Sequence, residues 1–331
     1  MILRHPRKTL LVAMSALALM AFATYQNLAG NKPSHPLSDV TSVRVTARPI
    51  PLNEDDPAAI KVGKLTFLAG WALTANNENF GGFSGLVVDE TSLKAISDRG
   101  DWLTAAMDWA REAPFLSATM QPFDIHAQDQ SKEGLDAESL IRFGDGYMVS
   151  FENYHRLVTL GSDGKVNLAP HNKGLNFSGV AANGGVEAIT PVACGLLLLV
   201  ERGLDTRGRL RGWIAREDGA DDIYFKPPLN FFPTDAATLK NGDVLVLLRR
   251  FSLLSGVAAK LVRIKAADIK PGATLEGEEL MHLEPPYTVD NMEGLDVIET
   301  EGQQARIIMI SDDNFRASQR TLLLVFSLDV A

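Results

Sequence analysis

A short apolar run opened by an acid, Glu138-Ser139-Leu140-Ile141, is followed by the turn Gly144-Asp145-Gly146 and by a second run that closes on an acid, Tyr147-Met148-Val149-Ser150-Phe151-Glu152. Two apolar runs around a Gly-Asp-Gly turn are typical of a β-hairpin. Two further short runs follow, at residues 157–160 and 165–168. The segment therefore predicts four consecutive antiparallel strands.

The same hairpin recurs four more times along the chain. Its opening and closing residues are Ser84 and Asp98, Glu187 and Glu201, Asp235 and Arg249, and Glu293 and Asp312. Opening and closing residues are 14 positions apart in four of the five copies and 19 apart in the last, and successive copies begin 54, 49, 48 and 58 residues apart. A four-stranded unit repeated about every 50 residues predicts an all-β fold, a β-propeller.

The number of blades depends on how the ring closes. Removal of residues 1–23, interpreted below as a signal peptide, leaves about 308 residues, and at roughly 50 residues per blade these predict six blades. Only five hairpins are visible, so a propeller of five blades is the alternative. The last copy has one further apolar run, residues 321–328, so its fourth strand must come from elsewhere in the chain. The N-terminal runs Ser42–Ala47 and Leu65–Leu73 are available to close the ring.

The N-terminus predicts export. Arg4, Arg7 and Lys8 precede an apolar stretch that ends in Ala21-Phe22-Ala23, a pattern that signal peptidase prefers. We interpret residues 1–23 as a signal peptide, residues 24–40 as a polar tether and residues 41–331 as the propeller domain. The predicted location is the periplasm or the medium, and an uncleaved signal anchor is the alternative.

Composition narrows the classes of function. The 331 residues are 46% hydrophobic and 22% charged, with a net charge of −9 and one cysteine. These values exclude a disordered, collagenous or disulfide-stapled chain. A negative chain is a poor partner for nucleic acid or an anionic membrane. We expect a monomer that acts on a small molecule.

The geometry of the hairpins predicts where the charged side chains lie. The first residue of one strand and the last of its partner lie at the same end of a hairpin, so ring closure brings these residues to one face. The acids expected there are Asp98, Glu138, Glu152, Glu187, Glu201, Asp235, Glu293, Asp312 and Asp313, and the arginines are Arg99, Arg202, Arg249 and Arg250. We expect Asp235 and Arg249 to form a structural tie between blades.

Crowded carboxylates need a cation or a retained proton. An all-oxygen cluster suits Ca²⁺ better than Zn²⁺, and the predicted metal ligands are Asp98, Glu138, Glu152, Glu187, Glu201, Glu293, Asp312 and Asp313. The predicted catalytic residues are Glu138, Glu187, Glu201, Arg99 and Arg202, with the arginines steadying an anionic substrate. Ser84 lacks the second glycine of a nucleophile elbow, since Leu86 stands at that position, and it is not expected to be a nucleophile.

Four of these hairpins also carry a family resemblance. The matching pieces include Gly81-Gly82-Phe83-Ser84-Gly85-Leu86, Leu135-Asp136-Ala137-Glu138, Gly185-Val186-Glu187-Ala188 and Asp290-Asn291-Met292-Glu293-Gly294-Leu295, each with its closing strand. Together they resemble the bacterial "esterase-like activity of phytase" (phytase-like domain) family. The resemblance implies an exported propeller of the phytase or esterase type.

The leading hypothesis is therefore an exported, calcium-dependent hydrolase of phosphate or carboxylic esters. Two rivals remain open. One is a periplasmic propeller that binds a ligand or protein and catalyses nothing, and the other is a sugar-lactone hydrolase with a similar acidic metal site.

Overall fold

Short apolar runs form β-strands throughout the computed structural model, which describes residues 40–123, 136–161, 166–252, 256–299 and 304–330. The strands are β1 Thr41–Val43, β2 Val45–Pro49, β3 Lys61–Val62, β4 Leu65–Ala75, β5 Phe83–Val88, β6 Ser92–Ser97, β7 Asp101–Met107, β8 Phe115–Pro122, β9 Ala137–Phe143, β10 Gly146–Phe151, β11 Arg156–Leu160, β12 Val166–Leu168, β13 Val186–Val192, β14 Gly195–Val200, β15 Leu210–Arg216, β16 Gly219–Phe225, β17 Phe232–Thr238, β18 Val244–Ser252, β19 Gly256–Ile264, β20 Thr274–Leu275, β21 Glu278–Leu283, β22 Asn291–Glu299, β23 Gln304–Asp312 and β24 Thr321–Asp329.

Helical structure in the described residues is limited to the 3-10 turns Pro170–Asn172 and Ala266–Asp268. None of the described helical segments is long and apolar enough to cross a bilayer. The predicted signal peptide, residues 1–23, lies outside the described residues, as does the predicted tether up to residue 39.

The described strands form five sheets, which we call blades 1 to 5. Their strand orders are β1-β8-β7-β6-β5, β12-β11-β10-β9, β13-β14-β15-β16-β20, β17-β18-β19-β21 and β2-β4-β24-β23-β22. All five predicted hairpins are present, as β5–β6, β9–β10, β13–β14, β17–β18 and β22–β23.

The first strand of each hairpin lines the centre of the molecule. Strand β5 lies beside β9, β9 beside β13, β13 beside β17, β17 beside β22, and β22 returns to β5, which closes a ring. The predicted β-propeller is confirmed. The described residues form five blades, the lower of the two counts that the sequence left open.

The count from chain length is higher because N-terminal residues join existing blades instead of building a sixth. Strand β1 pairs with β8 of blade 1, where Thr41 lies opposite Met120. Strand β4 pairs with β24 of blade 5, where Trp71 lies opposite Leu323, and β2 pairs with the other edge of β4. The N-terminal runs therefore close the ring, as the sequence predicted.

Apolar side chains between the blades hold the ring together. Every residue of the inner strand β5 is buried, as expected for a strand covered on both faces. Trp71 on blade 5 packs in one core with Leu103 of blade 1, and Trp102 of blade 1 packs with Val149 of blade 2. Both indoles are 2–3% exposed, so they fill the gaps between neighbouring blades.

A β-bulge occurs at the same register in all five inner hairpins. The pairing shifts by one residue at Ser84, Glu138, Glu187, Thr234 and Glu293. A bulge leaves one residue unpaired and re-aims its side chain. The five bulged residues are therefore turned alike at one end of the central channel.

Candidate functional site

Two stacked rings of residues surround this end of the channel. The bulge ring consists of Ser84, Glu138, Glu187, Thr234 and Glu293. The upper ring consists of the closing residues of the five predicted hairpins, Asp98, Glu152, Glu201, Arg249 and Asp312. Backbone pairing fixes the upper ring, since the amides of Asp98, Glu152 and Glu201 donate to the carbonyls of Gly82, Asp136 and Gly185 at 2.8, 2.9 and 3.1 Å.

The acids of the two rings act on one another across blades. Burial raises the pKa of Glu138 well above its usual value, and the carboxylates of Glu187 and Glu152 raise it further. Burial also raises the pKa of Glu187, with added effects from Glu201, Glu152 and Glu293. These groups belong to blades 2, 3 and 5, so their carboxylates converge. We call the acids of both rings, together with Asp136, the acidic bowl.

Arg249 is the basic member of the upper ring. It pairs with Glu201 and Glu293, which we call the far wall of the bowl. Its Nη2 lies 3.1 Å from Glu201 Oε1, its Nε lies 3.2 Å from Glu293 Oε1, and its Nη1 donates to Asn291 Oδ1 at 2.6 Å. Burial lowers its pKa, but the surrounding carboxylates reverse this effect and leave the pKa raised. Arg249 therefore stays charged and neutralises part of the bowl.

Three other acids have oxygens engaged by protein donors. Glu201 accepts a hydrogen bond from Arg202 Nε at 2.6 Å. Asp312 accepts from Asn291 Nδ2 at 3.2 Å and from the Asn314 amide at 2.5 Å. Asp313 accepts from the amides of Gly82 and Phe315 and from the Thr321 hydroxyl, at 3.1, 3.0 and 3.0 Å. Asp313 thereby ties blade 5 to blade 1.

The acids on the opposite wall of the bowl accept few hydrogen bonds from the protein. Among the described residues, no group donates a hydrogen bond to the carboxylates of Glu138 or Glu187. Glu152 accepts from the Gly185 amide, and burial together with Glu201 still raises its pKa to about 7. One oxygen each of Asp136, Glu138 and Glu152 lies within 4.8 Å of the others. This trio is the candidate metal centre.

The chemistry of these donors fits a hard divalent cation. All three offer carboxylate oxygens, which Ca²⁺ prefers, and no imidazole or thiolate belongs to the trio. A buried cluster of anions is costly unless a cation or protons compensate it. The raised pKa values correspond to compensation of the negative charge by retained protons, and a bound cation would replace those protons.

A sequence model of the family described as esterase-like activity of phytase matches residues 78–315, a range that contains both rings. The chain belongs to the phytase-like family. This confirms the resemblance carried by the hairpin motifs. No curated protein matches the chain.

Several solved structures are similar to this phytase-like chain. A putative gluconolactonase has 12% identity over 85% of this chain and 94% of its own, with a TM-score of 0.42. An α-L-arabinofuranosidase from Podospora anserina in complex with cellotriose has 11% identity over 88% and 98%, with a TM-score of 0.43. The β-propeller domain of Cps50 (Swd1) from Myceliophteria thermophila has 11% identity over 89% and 98%, with a TM-score of 0.37.

The fourth blade of the phytase-like propeller departs from the sequence prediction. The bulged residue is Thr234, whose hydroxyl donates to the Met292 carbonyl at 3.0 Å. Asp235 is one position further along and hydrogen-bonds Ser139, Ala236 and Leu295. The expected tie between Asp235 and Arg249 is therefore wrong, because Arg249 pairs with Glu201 and Glu293.

The two predicted substrate arginines differ in their surroundings. Arg202 is paired with Glu201 at 2.6 Å. Arg99 lies beside the upper-ring residue Asp98, and its Cζ is 3.3 Å from the centre of the Phe315 ring. The catalytic and metal-binding roles assigned from the sequence stay predictions, although all the acids they involve except Asp313 belong to the acidic bowl.

Besides Thr234, sequence reasoning missed two residues of the site. Asp136 was quoted within a family motif but not named as a ligand, although it lies two residues before Glu138 and side chains two apart in an extended strand share a face. Asn291 is likewise two residues before Glu293 and donates to it at 2.9 Å. Both could have been identified from the sequence, because each is a polar residue two positions before a bulged acid.

Proposed function

We propose that this protein is a hydrolase of small anionic esters, phosphoric or carboxylic, that uses a calcium ion in the acidic bowl. The observation that carries the proposal is the buried convergence of carboxylates around Glu138 and Glu187 with no donor to either among the described residues. Buried anions with perturbed pKa values in a concave site are characteristic of catalytic centres. Membership of the phytase-like family supports ester chemistry.

Asp136, Glu138 and Glu152 are the residues that would hold the ion. When bound, Ca²⁺ would polarise an ester oxygen and favour ionisation of a water molecule. Asn153 Nδ2 donates to Asp136 Oδ2 at 2.8 Å and would orient that carboxylate from behind. Six of the acids first predicted as ligands are outside this set, and one of them, Asp313, has oxygens that already connect blade 5 to blade 1.

Glu187 is the acid we assign to proton transfer. It is 4% exposed, and burial and the neighbouring carboxylates raise its pKa, which makes its carboxylate a stronger base than that of an exposed glutamate. In the proposed reaction its carboxylate takes a proton from the attacking water and passes it to the leaving oxygen. Glu201 and Glu293 share Arg249 and keep the far wall of the bowl in place.

We also propose that the substrate reaches the protein outside the cytoplasm and that the protein acts as a monomer. The N-terminal sequence supports export, since a basic segment precedes an apolar one and a small-residue cleavage motif. The net charge of −9 argues against nucleic acid as the partner.

The test is turnover by the purified protein of 4-nitrophenyl phosphate, 4-nitrophenyl acetate and a sugar lactone, each with Ca²⁺ and with a chelator. We expect chelation to abolish turnover of at least one ester. We expect E187Q to lower kcat at least about 100-fold while Ca²⁺ binding persists, within the range for general acid–base catalysis. The exposed substitution E217Q is the matched control and should leave turnover unchanged.

The rivals predict other results. Calcium that raises the melting temperature without turnover of any substrate would favour a binding propeller. Turnover of the lactone alone would favour a sugar-lactone hydrolase. Turnover of esters that is indifferent to the chelator would contradict the calcium part of the proposal.

A further inference from the structure

An arginine and a phenylalanine from different blades meet at the rim of the acidic bowl. The guanidinium carbon of Arg99 lies 3.3 Å from the centre of the Phe315 ring. Arg99 follows the upper-ring residue Asp98 on blade 1, and Phe315 follows the upper-ring residue Asp312 of blade 5 by three positions. The pair therefore spans the junction between blades 5 and 1, whereas the candidate metal trio lies on blade 2.

The backbone holds Phe315 in a conformation that large side chains rarely adopt. Asn314 and Phe315 have φ values of 48° and 51°, in the left-handed region. Asp313 stabilises this turn, since its Oδ1 accepts from the Phe315 amide at 3.0 Å and from the Gly82 amide at 3.1 Å. Strained residues of this kind persist where the surroundings fix them, and they cluster at functional sites.

The Phe315 ring also lies against a position that requires a glycine. A Cβ on Gly82 would overlap both the Asp98 carboxylate and the Phe315 ring, and Gly82 itself has a φ of 63°. Thus the left-handed turn, the Asp313 brace and the bare backbone of Gly82 all place one aromatic face under Arg99.

Arg99 differs from the other arginines of the bowl in its pairing. Arg202 and Arg249 each form an ion pair with Glu201. Within the described parts of the chain, no carboxylate pairs with the Arg99 guanidinium. The ring covers one face of the guanidinium, and the N–H groups point outward in its plane. Such an edge is suited to two parallel hydrogen bonds to a carboxylate or a phosphate.

We propose that Arg99 and Phe315 form a preorganised subsite for the anionic group of the substrate, a carboxylate or phosphate, and that the pair selects anionic over neutral esters. Arg99 binds the group, and Phe315 is a positioning residue that acts through Arg99. The acidic bowl repels an anion, and a fixed cation at its rim offsets that repulsion where the substrate enters. This inference rests on the proposed function and adds the residues that determine its specificity.

The first experiment compares two esters of similar size, anionic mono-4-nitrophenyl succinate and neutral 4-nitrophenyl butyrate. In R99Q we expect KM for the anionic ester to rise about tenfold or more, as for loss of a charged hydrogen-bonding partner, and KM for the neutral ester to stay within about twofold. R99K should retain part of the preference. F315L should raise KM for the anionic ester by a smaller factor and leave kcat unchanged.

The matched control is R211Q, which removes a guanidinium that lies over Trp213 at 5.2 Å on blade 3. It should behave as the parent with both esters. Melting temperatures of all variants show whether a change in KM reflects loss of the fold. An R99Q variant that keeps the parent's preference for the anionic ester would overturn the proposal, and an F315L variant that matches the parent would overturn the role of Phe315.

A second experiment measures binding without turnover, by calorimetric titration of succinate and of inorganic phosphate into the calcium-loaded protein. We expect the parent to bind at least one of them and R99Q to lose that binding, and the two titrations distinguish a carboxylate subsite from a phosphate subsite. Anion binding that depends on Arg99 in a protein without hydrolase activity would uphold this subsite and refute the proposed function. Failure of the parent to bind either anion would refute the subsite.

Discussion

Ser139 on the first strand of blade 2 donates a hydrogen bond of 2.9 Å from its hydroxyl to Asp235 on the first strand of blade 4. These blades are not neighbours in the ring, so the bond crosses the central channel. Asp235 also accepts from the Leu295 amide of blade 5 at 2.7 Å. The residues at the same register on the other blades are Gly85, Ala188 and Gly294, which leave room for a single carboxylate. Asp235 therefore forms the floor of the acidic bowl.

Loss of this bond should destabilise the ring. In S139A we expect the free energy of unfolding to fall by about 1 to 3 kcal/mol, because a fully buried carboxylate loses a donor. Denaturant unfolding monitored by tryptophan fluorescence measures the change. S117A, on the exposed face of β8, is the matched control and should change stability by less than about 0.5 kcal/mol. Equal effects of the two substitutions would show that the channel bond contributes nothing.

Stability should depend on pH through the buried acids. Burial raises the pKa of Glu152 and Glu293 from 4.5 to about 7 and that of Asp296 from 3.8 to about 6. The folded chain then holds protons that the unfolded chain releases, so the contribution of these groups is fully favourable below about pH 4 and declines as the pH rises to about 7. Calorimetric melting in chelator should give a lower melting temperature at pH 8 than at pH 5. A melting temperature that rises over this interval would contradict the assignment.

Calcium should reverse this trend at alkaline pH, because it competes with protons for the same oxygens. We expect Ca²⁺ to raise the melting temperature more at pH 8 than at pH 5. D136N should weaken binding about tenfold or more in calorimetric titration, since one of three clustered carboxylates is lost. E217Q, an exposed acid of blade 3, should bind as the parent does. Unchanged affinity in D136N would remove Asp136 from the site.

Removal of Arg249 should be the most damaging single change in the bowl. R249M leaves Glu201 and Glu293 without their shared cation, and breaking a buried pair from one side costs about 3 to 5 kcal/mol. The loss should be smaller at pH 5, where Glu293 is largely protonated, than at pH 8. Adding E293Q to R249M should recover part of the stability. Equal losses at both pH values would contradict the role of charge.

The fold and most of the site follow from local sequence patterns. Hairpin spacing predicted the propeller because each hairpin is local in the chain, and the family motifs pointed to the same acids. Blade 4 was misaligned by one residue because an acid was expected at the opening position, whereas the bulge falls on Thr234. That shift turns Asp235 from the rim to the floor. Arg249 was paired incorrectly for a related reason, since its partners come from blades 3 and 5 and depend on ring closure.

Strand β4 precedes all five inner hairpins in the sequence, yet its neighbour in the sheet is β24, the last of the described strands. Blade 5 therefore cannot be completed until β24 has been synthesised and has reached β4. Until β24 arrives, the edges of β4 and β23 that it covers lack their partners, and open edges of this kind invite pairing with other chains. Insertion of β24 between β4 and β23 is therefore the folding step that covers these edges.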